Sequence, residues 1–183
     1  MKYLKITKTE SGTVWLLDSD ENSIYQSSFK TKKEFENHVV SVMINDVIGK
    51  YPLSHLVNGS PFLIGLEELN ISISHSNNLF TIYASKNNTV GIDVELVNKE
   101  LSRGKHYFLN EEEITVDWTN QELYMIWCAK EAYYKLLKGN VKAINKELTI
   151  LKINNQEIQG QFKNEPINFS VERLKDIVLV YTK

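Results

Sequence analysis

The stretch Gly91-Ile92-Asp93-Val94-Glu95 constrains this chain more than any other. Its alternation predicts a strand, with Val90, Ile92 and Val94 pointing one way and Gly91, Asp93 and Glu95 the other. Two carboxylates at i and i+2 on a strand share a face. They repel each other there unless water solvates both or a hard cation lies between them. From these five residues alone, a solvated edge strand and a cation-binding strand are both open.

Periodicity on either side sets the fold class. Residues 1–8 and 13–18 read as strands joined by Ser11-Gly12. Thr31 with Glu34 three residues later starts a helix, continued by Phe35, Val39, Val42, Met43 and Val47 until Gly49 and Pro52 stop it. Residues 69–74, 79–85 and 89–96 read as strands, and Asn110 with Glu113 predicts a short helix reaching about Thr115. A long helix follows over 120–138, and residues 148–153, 157–162, 167–172 and 177–181 close the chain as strands. This order predicts an α+β fold of two related halves, 1–97 and 98–183, each with one main helix packed on an antiparallel sheet.

Composition narrows the function classes. The 183 residues suit one compact domain or two small joined ones. The chain carries 21 Lys+Arg against 23 Asp+Glu, a balance that does not favour nucleic acid as a partner. Cys128 is the single cysteine, so one chain holds no disulfide and no cysteine-based zinc site. The first residues lack the apolar core of a secretory signal, and no apolar run reaches membrane-spanning length. A cytoplasmic protein without a membrane partner is the expectation.

Two further segments carry chemistry. In the long helix the core face runs through Ile126, Ala129, Tyr133, Leu136 and Leu137, whereas Trp127, Glu131 and Lys135 form a separate stripe four residues apart. A surface Glu131–Lys135 pair is the bland explanation, and the tryptophan on the same stripe argues for partial burial. Ser74-His75-Ser76 sits where a strand meets a turn, and two hydroxyls, turn amides and an imidazole suit an anion. Lys30, Lys32 and Lys33 gather where the first helix begins, either as a solvated tip or as a phosphate contact.

Taken together, Ser74-His75-Ser76, Gly91-Ile92-Asp93-Val94-Glu95 and the Trp127/Lys130/Glu131/Ala132/Lys135 helix resemble the 4′-phosphopantetheinyl transferase superfamily, in its single-chain surfactin-synthetase-activating (Sfp) type. The resemblance spans about residues 58–139. It implies two similar α+β halves about a pseudo-twofold with the active site between them. The implied reaction moves the phosphopantetheine arm of coenzyme A to a serine of an apo acyl or peptidyl carrier protein, releasing adenosine 3′,5′-bisphosphate. It further implies Mg²⁺ on Asp93, Glu95 and Glu131, Lys135 at the transferred phosphate, and Ser74 and His75 on phosphates of coenzyme A.

The Phe-Ser-x-x-Glu element of the family resembles Leu109–Glu113, which makes Glu113 the first choice of general base; a metal-bound water or Lys135 are the alternatives. Gly91 is expected to leave room for pyrophosphate. The Gly-Lys-Pro loop resembles Gly59-Ser60-Pro61, with Ser60 where lysine is usual and Lys30, Lys32 or Lys33 as the candidate replacement. Lys99, Arg103, Lys105, Lys130 and Lys138 are candidates for a basic face toward an acidic carrier. A single-chain site implies a monomer. A degenerate module that binds coenzyme A or a carrier without catalysis is the alternative function.

Overall fold

The computed structural model describes residues 1–183. In chain order the elements are β1 (Lys5–Lys8), β2 (Thr13–Asp18), α1 (Lys32–Val47), β3 (Leu53–His55), β4 (Pro61–Leu63), β5 (Asn70–Ser76), β6 (Leu79–Ser85), β7 (Ile92–Leu96), α2 (Asn120–Leu136), α3 (Ile144–Glu147), β8 (Leu148–Ile153), β9 (Glu157–Phe162), β10 (Glu165–Leu174) and β11 (Ile177–Thr182). Tight turns make neighbours antiparallel. Asn77, at φ 56°, closes β5 onto β6, and Lys163 and Asn164, both left-handed, close β9 onto β10.

The strands form a four-stranded sheet ordered β1-β2-β6-β5, a five-stranded sheet ordered β7-β11-β10-β9-β8, and a small β3-β4 hairpin. Alternation along each strand assigns its side chains to layers. Leu17, Phe80 and Ile82 of the first sheet pack with Phe35, Val39 and Met43 of α1. Val178 and Val180 of the second sheet pack with Leu123, Ile126 and Ala129 of α2. The opposite faces of the two sheets meet through Val14, Leu16, Leu79 and Tyr83 on one side and Ile92, Val94, Leu179 and Tyr181 on the other. The layers therefore run helix, sheet, sheet, helix, and the α+β class read from the sequence is the observed one.

Several elements differ from expectation for local reasons. The predicted short helix from Asn110 is a 3-10 turn, Glu113–Thr115, although Asn110 and Glu113 do exchange the two capping hydrogen bonds at 2.8 Å each. α2 starts at Asn120 as expected, behind a complete Thr119–Glu122 capping box, but ends at Leu136 rather than Lys138, which takes a left-handed backbone at φ 52°. At α1, Thr31 accepts from Glu34 N–H, but the Glu34 carboxylate turns to Lys30 N–H. The three-residue strands β3 and β4 are too short for alternation to reveal.

The strand read as the end of the first half changes sheets. β7 pairs with β11, with Asp93 opposite Val180, so its backbone belongs to the second sheet and the boundary drawn after residue 97 does not divide the sheets. Against the first sheet it makes no backbone ladder. Serine hydroxyls cross from β5 instead: Ser72 Oγ accepts Ile92 N–H at 3.2 Å, and Ser74 and Ser76 donate to the two carboxylates.

Gly91 is explained by packing rather than by room for a ligand. A Cβ there would stand 1.9 Å from the carbonyl oxygen of Ala132 and 2.9 Å from Leu136 N, because the backbone of α2 rests directly on this strand. Those obstacles are backbone atoms, so relief requires moving the helix. Gly91→Ala is expected to lower stability by at least the roughly 1–3 kcal/mol typical of overpacking. A urea midpoint equal to that of the unsubstituted chain would contradict this.

Candidate active site

The sheet-to-sheet seam and α2 bring Ser74, His75, Asp93 and Lys135 to one cleft. Asp93 and Glu95 leave β7 on the side away from the sheet-to-sheet core, toward the helix. From α2, Lys135 reaches back so that its Nζ lies 2.7 Å from Asp93 Oδ1 and 3.0 Å from the carbonyl oxygen of Ile92. Ser74 Oγ donates to the same Asp93 oxygen at 2.6 Å, and Ser76 Oγ donates to Glu95 Oε2 at 2.6 Å. Asp93 is only 5% exposed, and its second oxygen, Oδ2, is buried with no hydrogen-bond partner.

Electrostatics shows how crowded this corner is. Burial raises the Glu95 carboxyl above its usual range and Asp93 adds to the shift, while the Ser76 hydroxyl, Trp127 and Lys135 oppose it. Burial likewise raises Glu131, with Asp93 and Glu95 adding to the shift and Lys135 opposing it. Three carboxylates thus feel one another across β7 and α2, and the Lys135 ammonium is the cation that neutralises Asp93. As the chain stands, no group of three or more His, Cys, Asp or Glu side chains is gathered closely enough to hold a metal ion. The donors nevertheless suit a hard divalent cation in kind, being carboxylate oxygens with one buried oxygen left unpartnered.

These raised values have a consequence for stability. A carboxyl whose folded pKa exceeds its unfolded one favours folding below the unfolded value, and that contribution disappears as pH rises through the folded one. Above the carboxylate range the metal-free protein therefore carries a penalty at Glu131. Glu131→Gln is expected to melt at a higher temperature than the unsubstituted chain at pH 8 and to lose that advantage near pH 4. Thermal melts at the two pH values check it.

Asp93 and Lys135 open onto a cleft of ≈ 1330 Å³ between the halves. Its walls include His75 and Ser74 from β5, Lys33 and Glu36 from α1, the Asn58–Pro61 loop, and Lys138 beyond α2. Asn58 Nδ2 donates to the carbonyl of Lys138 at 2.9 Å, tying the hairpin loop of one half to the helix end of the other. His75 Nδ1 stands 3.4 Å from Glu36 Oε1, and burial holds its imidazole below the ordinary histidine value. Of the three N-terminal lysines, Lys33 lines the cleft and Lys32 pairs with Glu36 at 3.4 Å; Lys30 is exposed and outside it. Ser60 lines the cleft as well.

Three sequence expectations are corrected by these placements. Glu113 does not join the cleft: it is 1% exposed and pairs with Lys130, and its oxygens accept Asn110 N–H and Ile150 N–H. Lys130, only 2% exposed, donates also to the carbonyl of Phe108 and leaves the proposed surface face. Ser74 reaches the cleft, but its one hydroxyl hydrogen goes to Asp93, so none is left for a phosphate.

One buried carboxylate, Asp93, and the Lys135 ammonium line the cleft, whereas Glu95 and Glu131 are not among its walls. Residues 89–180, half of the chain, match the family model ACPS, 4′-phosphopantetheinyl transferase superfamily. The chain belongs to that superfamily, and phosphopantetheinyl transfer from coenzyme A to a carrier protein is its reaction in general terms. No match to the chain is found among the curated proteins. No helix is long and apolar enough to cross a membrane.

Proposed function

We propose that this chain is an Sfp-type transferase that moves the phosphopantetheine arm of coenzyme A to a serine of an apo acyl or peptidyl carrier protein, with Mg²⁺ and with adenosine 3′,5′-bisphosphate as second product. The observation that carries this reading is the meeting of β7 and α2 at the cleft, where Lys135 Nζ lies 2.7 Å from Asp93; Glu95 and Glu131 stand outside the cleft lining but near enough for the three carboxylates to influence one another. Asp93, Glu95 and Glu131 would hold the cation, which supplies charge neutralisation at a pyrophosphate.

The residues around them divide the remaining work. Lys135, about a quarter exposed, turns its ammonium toward the cleft and balances charge on the phosphate being transferred. His75 and Lys33 line the wall suited to the outer phosphate, and Lys33 takes the place left by Ser60. The carrier's serine oxygen bonds to phosphorus as the bond to the bisphosphate breaks, and its proton passes to the Glu131 carboxylate, Lys135 already being an ammonium and Glu113 being committed elsewhere. Lys99 and Arg103 are exposed on the segment that follows β7, and with Lys105 they offer cations to an acidic carrier. We place the enzyme in the cytoplasm as a monomer.

Incubation with coenzyme A, Mg²⁺ and a panel of apo carrier proteins, followed by weighing each carrier, tests the reading. A gain of one phosphopantetheine arm that EDTA suppresses is expected. No gain on any carrier, with coenzyme A bound equally well in EDTA, would favour the binding-module alternative.

A further inference from the structure

Three serines at period two on β5 face β7, and each does something different. Ser72 is an acceptor for the backbone of Ile92. Ser74 and Ser76 are donors, each to one oxygen of one carboxylate. A hydroxyl has a single hydrogen, and a hydroxyl–carboxylate bond of 2.6 Å is charge-assisted and short. Asp93 Oδ1 therefore receives both Ser74 and Lys135, whereas Oδ2 is left buried and unpartnered; Glu95 Oε2 receives Ser76. The oxygens are sorted, and the sorting comes from the other sheet.

We infer that Ser74 and Ser76 are positioning residues that each hold one carboxylate by one oxygen, Ser74 leaving Asp93 Oδ2 for a divalent cation and Ser76 fixing Glu95 beside it. This rests on the reading that a cation binds these carboxylates. Groups that hold a ligating carboxylate in place typically account for about 10–100-fold in metal affinity. A backbone ladder between β5 and β7 could not do this, because it would pair the strands without touching the carboxylates. The serine alternation is thus a device for a two-sheet seam that also has to orient side chains.

The test is Mn²⁺ binding to the full chain, measured by titration calorimetry and by electron paramagnetic resonance with coenzyme A present. Ser76→Ala and Ser74→Ala are each expected to weaken Mn²⁺ about tenfold or more. Ser76→Thr, which keeps the hydroxyl, should restore the affinity. Coenzyme A binding in EDTA should be unchanged in all three. Because Ser74 is buried and its alanine variant risks misfolding, the half-exposed Ser76 position decides the matter. Mn²⁺ binding as tight in Ser76→Ala as in the unsubstituted chain overturns the inference while leaving transfer intact. Weaker coenzyme A binding in EDTA for Ser74→Ala, with Mn²⁺ binding unchanged, overturns it in favour of a phosphate contact. An unsubstituted chain that binds no Mn²⁺ and modifies no carrier overturns the proposed function together with it.

Discussion

Asp93→Asn is expected to slow carrier modification on the order of a thousandfold while leaving the protein folded. Neutralising charge at a reacting phosphate is worth several kcal/mol, and each 1.36 kcal/mol is about a factor of ten. The substitution keeps the shape of the side chain and an oxygen able to accept from Ser74 and Lys135, so packing at this 95%-buried position is preserved. What it removes is the charge that anchors Lys135 and that, in the proposed reaction, would help hold the cation. Initial rates by carrier mass, with circular dichroism as the fold control, decide it. A loss smaller than tenfold would show that the chemistry lies elsewhere in the cleft.

The second large effect is structural. Lys130→Met alone is expected to cost about 3–5 kcal/mol, because it leaves the Glu113 carboxylate buried without its cation. That carboxylate also holds Asn110 N–H and Ile150 N–H, so its pairing with Lys130 fastens the 3-10 turn and β8 to α2. Burial already pushes the Lys130 ammonium below its ordinary value, against the pull of Glu113. The double variant Glu113→Leu/Lys130→Met should recover much of the loss, since two apolar side chains of similar size replace the pair. Folded double variant should also still modify carriers. A general base would instead show a loss of about 10²–10⁴ in rate at nearly full stability, which urea midpoints and rates together distinguish.

Much of this was legible in the chain, and the omissions have physical causes. The strands Leu79–Ser85, Leu148–Ile153 and Glu157–Phe162 were found at their observed bounds, since apolar and β-branched runs between polar turns carry a strong strand signal, whether buried throughout as in Leu79–Ser85 or on one face. Helical spacing found the Trp127/Glu131/Lys135 stripe, whose three members are all half-buried. Glu113 misled because an acidic run hides which carboxylate turns inward, and the buried cation that selects it lies 17 residues away. Lys130 misled for the reciprocal reason: lysine is rarely buried unless it is paired. Gly91 was read from its chemical neighbour Asp93, although the neighbour that matters is the backbone of a helix some forty residues on. The serine alternation on β5 was visible, but its meaning required knowing that β7 lies against it.

β7 takes its backbone partners from the second sheet and its side-chain partners from the first. Neither sheet can therefore present a finished site by itself. The first sheet supplies hydroxyls with nothing to hold, and the second supplies two carboxylates without their hydroxyl partners. Completion of the site is thereby tied to the docking of the two sheets, and a chain that has formed its secondary structure but not joined its halves carries all the ingredients of the chemistry and none of its competence.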